Sequence, residues 1–334
     1  MRFSLRAALL LALVCLVALI PMAASDYYIS LVIKMMIYSL FALSLQLLVG
    51  GTGLVSLGHA AFFGIAAYTV TLISPESGAG NFFFLLPAAI VAAMIYAAVT
   101  GALCLRTKGI YFIMVTLAFA QMAYYVFHDT KLGGGTDGIY MYFRPEWRVG
   151  DTVLLNIDTP YAFYLFTLAL LLLTWGFLAL LMRSRFGAAL TGIRVNEQRM
   201  RAAGYSTFRY KLAAYIIAGG LGGIAGVLYA VKDGYVNPEL LAWEQSGLVL
   251  LMVILGGTGP LWGAIIGAIA LTLLQEAFQS QALLGDIATH WHLTFGLAII
   301  ALVAILPKGL TGIPDQWRAR RSKPTASSTA TAGH

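Results

Sequence analysis

The side chains best suited to work on another molecule are concentrated in one polar stretch, 183–211, RSRFGAALTGIRVNEQRMRAAGYSTFRYK. It carries seven cations (Arg183, Arg185, Arg194, Arg199, Arg201, Arg209, Lys211) against one acid, Glu197, in a chain that is 60% hydrophobic and 10% charged. Phe186, Leu190 and Ile193, spaced by four and three, would give a short helix one apolar face among those charges. A loop that only sets membrane topology needs far fewer residues. The stretch is therefore expected to dock on something.

A second set of candidates lies inside apolar segments. Ser56, Leu57 and Gly58 lead into His59, which starts a helix and either lines a route or is a hydrogen-bonded structural histidine. The apolar run 248–255 is too short to cross a bilayer alone. Crossing requires burial of Glu244 and Gln245, or a break near Ser246 and Gly247. A helix start exposed at such a break offers free N–H groups to an anion such as the carboxylate of a zwitterion. The alternative is a tilted helix beginning in the external interface. Gln275 and Glu276 either face a water-filled route or lie at the interface. Lys34 is expected to snorkel toward the external surface, and His290 and His292 flank Trp291 at a boundary where a metal would need further ligands.

The elements that position these residues are membrane spans. A mean hydropathy of +0.83 over 334 residues excludes an ordinary soluble domain. Segments near 27–50, 58–74, 82–104, 109–127, 161–182, 212–231, 239–257, 260–278 and 290–306 read as spans, and a helix within 1–25 brings the count to about ten. That first segment has Arg2 and Arg6, an apolar core over 7–20 and small residues at Ala23, Ala24 and Ser25. It reads as a cleaved signal or a retained helix, and both leave Asp26 outside. With both termini inside, sixteen cations are cytoplasmic, and four (Lys131, Arg144, Arg148, Lys232) are outside. The positive-inside rule is satisfied, and the basic excess needs no nucleic acid. Cys15 and Cys104 both lie in apolar tracts, which argues against a disulfide framework.

Glycines at Gly219, Gly223 and Gly226, and at Gly259, Gly263 and Gly267, have the spacing of close helix packing. The tetrapeptide GGTG occurs at 50–53 and again at 256–259, both at cytoplasmic ends of hairpins. The external loop 128–160 is expected to carry at most short structure. The expected organisation is a single transmembrane domain over 1–313, including the cytoplasmic loop 183–211, followed by a disordered cytoplasmic tail, 314–334.

No stretch matches G-x-x-x-x-G-K-[ST], and no nucleophile–base–orienter set or ligand cluster is present, so catalysis by this chain is not expected. A polytopic chain without its own ATP site is a secondary carrier, a channel, or the membrane half of an ATP-driven importer. Coupling carboxylates or broken helices at depth would mark a carrier, and the sequence shows little of either. An importer needs a cytoplasmic surface that receives force from an ATPase, which 183–211 supplies.

Five blocks carry a resemblance: SLGHAAFFGIAAYT (56–69), LRTKGIYFIMVTLAFAQ (105–121), GGTDGI (134–139), SRFGAALTGIRVNEQRMRAAGYSTFRYKL (184–212) and MVILGGTGPLWGAIIGA (252–268). Together, over about 27–313, the chain resembles the LivM-type permeases of branched-chain amino-acid ABC importers. The resemblance implies an all-α ABC importer permease fold in a bacterial inner membrane. It also implies a second homologous permease, two cytoplasmic ATPases that bind ATP and Mg, and a periplasmic binding protein, with no cofactor on this chain. The 183–211 loop becomes the coupling element, with Arg194, Glu197, Arg201 and Gly204 as its contacts. Ala202, Ala203 and Gly204 depart from the fuller EAA pattern of importer loops. Ser56, His59, Gln121, Glu244 and Ser246 are the expected path residues. Related permeases for urea or short amides, and a stand-alone carrier or channel, are the competing readings.

Overall fold

A computed structural model describes residues 18–19, 21, 25–75, 78–149, 152–155, 159–280, 285, 290–306 and 309–312. The expected first helix, apart from three of its residues, and the expected 314–334 tail lie outside them. Nine long or apolar helices follow in order, numbered with two short polar ones as α1–α11. They are α1 (Asp26–Gln46), α2 (His59–Ile73), α3 (Phe82–Cys104), α4 (Ile110–Asp129), α5 (Pro160–Arg183), the polar α6 (Arg185–Val195) and α7 (Glu197–Ala202), α8 (Thr207–Asp233), α9 (Trp243–Gly256), α10 (Leu261–Gln279) and α11 (Trp291–Ile305). The chain is an all-α polytopic membrane protein. Seven of the described apolar segments are long enough to cross a bilayer, while α2 and α9 are shorter. The expected total of ten is thus not reached among the described residues.

The ends of the bundle differ in chemistry. One end, the basic face, carries α6 and α7. The other, the strand face, carries short strands: β1 (Ile139–Tyr140), β2 (Trp147–Val149), β3 (Thr152–Leu155) and β4 (Tyr235–Val236). β2 and β3 form a hairpin, whereas β1 pairs antiparallel with β4 and pins the 128–160 loop to the distant end of α8. The loop is more ordered than its glycine-rich sequence suggests, because that partner strand lies about a hundred residues away.

α1 and α8 form the buried centre, and α11 has no buried residue among those described. Backbones approach closely where glycine permits it, as membrane helices gain from packing rather than from hydrophobic transfer. A Cβ on Gly226 of α8 would stand 2.0 Å from Phe63 O of α2, and one on Gly267 of α10 would stand 1.9 Å from Met252 O of α9. The expected glycine packing therefore forms, except that Gly259 meets nothing within 4 Å. The two GGTG segments come together: a Cβ on Gly50 would lie 3.1 Å from Thr258 O.

α1 does not end as a regular helix. Residues Leu47–Thr52 continue it as a π-helix, a form that is rare and often functional. The chain then runs irregularly to Gly58, with Leu57 N donating to Thr116 Oγ1 of α4 at 3.3 Å. At about 1.5 Å per residue, α2 is only about 22 Å long.

Candidate coupling site and membrane cleft

On the basic face, α6 forms over the predicted residues, with the Ser184 hydroxyl accepting from Gly187 N at 3.4 Å as its N-cap. Its apolar face is already occupied. Leu190 and Ile193 are buried in the chain's own body, and Phe186 stacks on Tyr210 at 5.6 Å. What remains outward is the opposite face, on which Val195 is 78% exposed.

The four expected coupling residues turn inward or shape the turn. Glu197 is the hub of a network: its Oε2 accepts from Lys211 Nζ at 2.6 Å, and its Oε1 accepts from Arg201 Nη2 and from Thr207 Oγ1. Arg201 Nε also donates to Thr207 Oγ1 at 3.0 Å. Burial pushes the Glu197 carboxyl up, but the hydrogen bonds from Lys211, Arg201 and Thr207 outweigh it and bring it down to about 2. The network clamps α7 to the first turn of α8.

Gly204 closes α7 with φ +86°, a left-handed position with nothing within 4 Å of a Cβ. Tyr205 N donates to Met200 O and Gly204 N to Arg201 O, the two bonds of a Schellman end. Glycine is there for backbone conformation. Arg194 leaves α6 in another direction, and its Nη1 donates to Gly50 O in the π segment of α1 at 2.6 Å. The side chains of Arg183, Arg185, Arg199 and Arg209 have no hydrogen bond or ion pair among the described residues.

Deeper in the bundle, α9 is continuous from Trp243, with no break at Ser246 or Gly247. The 3₁₀ turn Pro238–Leu241 descends beside α2, with Leu241 against Gly64, and the Ser246 hydroxyl accepts from Ala60 N at 2.8 Å. That bond caps one free N–H of α2 and places the starts of two short helices side by side.

Two of the expected path residues meet in a cleft. Gln121, Tyr124 and Tyr125 of α4 face Glu239, Trp243 and Glu244 across a space of about 490 Å³. Ser246 is buried behind it. Ser56 and His59 are not part of its lining: Ser56 Oγ accepts from Gly58 N, and His59 Nε2 pairs with Ser44 Oγ at 2.7 Å while stacking on Phe41. Glu239 was missed by the sequence reading, although a carboxylate inside the segment 239–257 was a signal for it.

Lys34 does not snorkel alone. Its Nζ lies 4.0 Å from Glu276 Oε2, and Tyr27 OH donates to Glu276 Oε1 at 2.6 Å, which joins α1 to α10. Among the described residues no group of three His, Cys, Asp or Glu is placed to hold a metal ion.

Many apolar helices, a short helix opening on a cleft, and a folded basic element tied to the central helix define a transport permease. Comparison with known proteins makes this specific. Residues 27–304 match the family described as "Branched-chain amino acid transport system / permease component", and the chain belongs to that family. It is 31% identical to the high-affinity branched-chain amino acid transport system permease protein LivM of Escherichia coli K12, over 90% of this chain and 74% of that protein. It is 24% identical to the LivH permease protein of the corresponding Salmonella typhimurium system, over 83% and 92%. It is 27% identical to the autoinducer 2 import system permease protein LsrC of Salmonella paratyphi B, over 94% and 88%. No solved structure matches the chain.

Proposed function

We propose that the chain is one of two membrane subunits of an ATP-driven importer that carries branched-chain or closely related amino acids across a bacterial inner membrane. The observation that carries the mechanism is the path from α6 through Arg194 to Gly50 of α1. A push on the basic face reaches the helix at the centre of the bundle through this charged hydrogen bond and the buried apolar face of α6.

In this reading a second, homologous permease completes the route, a periplasmic protein delivers the substrate, and two cytoplasmic ATPases hold ATP and Mg. The chain itself binds no cofactor. The basic face is cytoplasmic, as the positive-inside asymmetry requires, and both termini lie on that side. Three of the arginines whose side chains lack internal partners, Arg185, Arg199 and Arg209, meet the ATPase. Arg194, Glu197, Arg201 and Gly204 hold the coupling element in shape and transmit its movement. Gln121 and Glu244 line the route; behind it Ser246 ties α9 to α2, His59 ties α2 to α1, and Ser56 shapes the turn that leads into α2. Likeness to both LivM and LivH supports a paired arrangement and the amino-acid substrate.

The test is leucine uptake by native-host cells lacking the chain and by the same cells with it restored. Uptake that is lost, restored and not competed by urea supports the reading. Uptake unaffected by the deletion, or restored uptake competed by urea but not by isoleucine, would overturn the substrate class.

A further inference from the structure

The end of α1 shares out its carbonyls unevenly. In the π segment the Leu48 carbonyl takes three donors: Gly53 N, Leu54 N at 3.2 Å and the Thr52 hydroxyl at 2.8 Å. In a regular α-helix Gly53 N would donate to Val49 O, and Leu54 N to Gly50 O. Gly50 O is instead held by Arg194 Nη1 at 2.6 Å. The stem of the same arginine lies beside the turn, since a Cβ on Gly53 would stand 3.3 Å from Arg194 Cγ. Arg194 therefore sits on the acceptor that a tighter turn would use.

Two further observations mark this turn as able to change. Gly53 ends it at φ +73°, a left-handed position, whereas an α-helical continuation needs the right-handed region, and glycine adopts both. Gln46, at the start of the turn, is buried with its Oε1 unpaired among the described residues, and its Nε2 donates to Pro260 O at a long 3.4 Å. A buried amide left half satisfied gains from any arrangement that pairs it. The effect of a change would travel. Residues 53–58 join the turn to α2, Leu57 N is bonded to Thr116 of α4, and Ala60 N to Ser246 of α9. α4 and α9 border the cleft.

We infer that the end of α1 is a two-state turn, wide (π) in one state and regular (α) in the other, and that the coupling element selects between them through Arg194. When α6 carries Arg194 away, Gly50 O is released to Leu54 N, Gly53 becomes right-handed, and residues 53–58 move with it. Packed elements switch between such discrete arrangements rather than deforming smoothly. The inference rests on the importer reading above and specifies one step of it.

The experiment is thiol cross-linking in the assembled importer. A Cβ on Gly51 would stand 3.7 Å from Met182 Sδ of α5, an ordinary contact, so Gly51→Cys/Met182→Cys fits the wide turn. Cys15→Ala and Cys104→Ala remove the native thiols. A short bifunctional thiosulfonate should join the pair in the nucleotide-free importer. Yield should fall about tenfold when the ATPases are held with ATP bound, as a population shift between two states implies. The joined importer should lose leucine uptake and regain it with dithiothreitol. Equal yields in the two conditions, or full uptake with the link in place, would overturn the inference and leave the importer reading standing. If the cysteine pair fails to assemble, Gly53→Ala and Gly53→Asn decide the matter. Alanine disfavours the left-handed position and should cut uptake about fivefold while ATP hydrolysis persists, whereas asparagine, which tolerates it, should keep most uptake. Wild-type uptake with alanine, or an equal loss with asparagine, would overturn the inference. Wild-type chain recovered without ATPases, and transporting without ATP, would overturn the importer reading, and this inference with it.

Discussion

Arg194 and Gly50 lie 144 residues apart, yet the guanidinium of one donates to the carbonyl of the other at 2.6 Å. Gly50 O belongs to the end of a helix, where carbonyls lack partners within the helix and carry partial negative charge. A cation therefore fits there for two reasons. Because Gly50 also abuts the second GGTG segment at Thr258, the contact joins the coupling element, α1 and the α9–α10 turn at one point.

Removing that contact should separate docking from transport. Arg194→Ala is expected to cost about 1.5–3 kcal/mol locally, as the loss of a charged hydrogen bond does. Uptake should fall while the subunits still co-purify. Arg194→Glu with Arg201→Glu should abolish uptake while leaving the chain folded and inserted. Normal uptake by that pair at normal expression would remove the coupling role.

The Glu197 network predicts a pH response outside the membrane. The folded carboxyl is depressed from 4.5 to about 2, so its contribution to stability is fully present above about 4.5 and is lost as pH falls through about 2. Trypsin cleavage at Arg199 and Arg209 should stay slow from neutral pH to about pH 5. Glu197→Gln should make cleavage fast at neutral pH, and unchanged cleavage would show that the clamp contributes nothing.

Backbone geometry sets a third expectation. Gly204→Ala places a side chain at φ +86°, at a cost of about 1–2 kcal/mol, although no neighbour is struck. Gly204→Asn should be milder, because asparagine tolerates that region. Recovery of the ATPases with each variant, ranked glycine, asparagine, alanine, is the check. An alanine variant that recovers them as well as glycine would show that the turn tolerates either conformation.

Close packing gives a fourth. Gly267→Leu must displace Met252 O, 1.9 Å from the new Cβ, and should cost about 3 kcal/mol or more. Gly259→Ala, in open space, should cost little. Thermal unfolding in detergent distinguishes them, and equal midpoints would contradict the packing of α9 on α10.

Much of this was legible beforehand because the signals are local. Apolar length marks a span, and Phe186, Leu190 and Ile193 mark the inner face of α6 through helical spacing. The partners of the polar residues were not legible. Nothing near Lys34 announces Glu276 on α10, and nothing near Arg194 announces Gly50. His59 and Ser246 were suspected of lining a route because each begins a helix next to small polar residues. Their side chains instead join α2 to α1 and α9, a distinction that depends on which helices become neighbours. Glu239 was overlooked for the converse reason. It follows Pro238 and precedes two leucines, and only the descent of that turn beside α2 brings its carboxylate to the cleft.

The most direct test of the importer reading is gentle-detergent purification of the tagged chain from its native host, with mass spectrometry of what accompanies it. Recovery of two ATPases and a second permease, with leucine transport that requires ATP, is the predicted result. A chain that comes down alone, monodisperse and transporting without ATP, would contradict it.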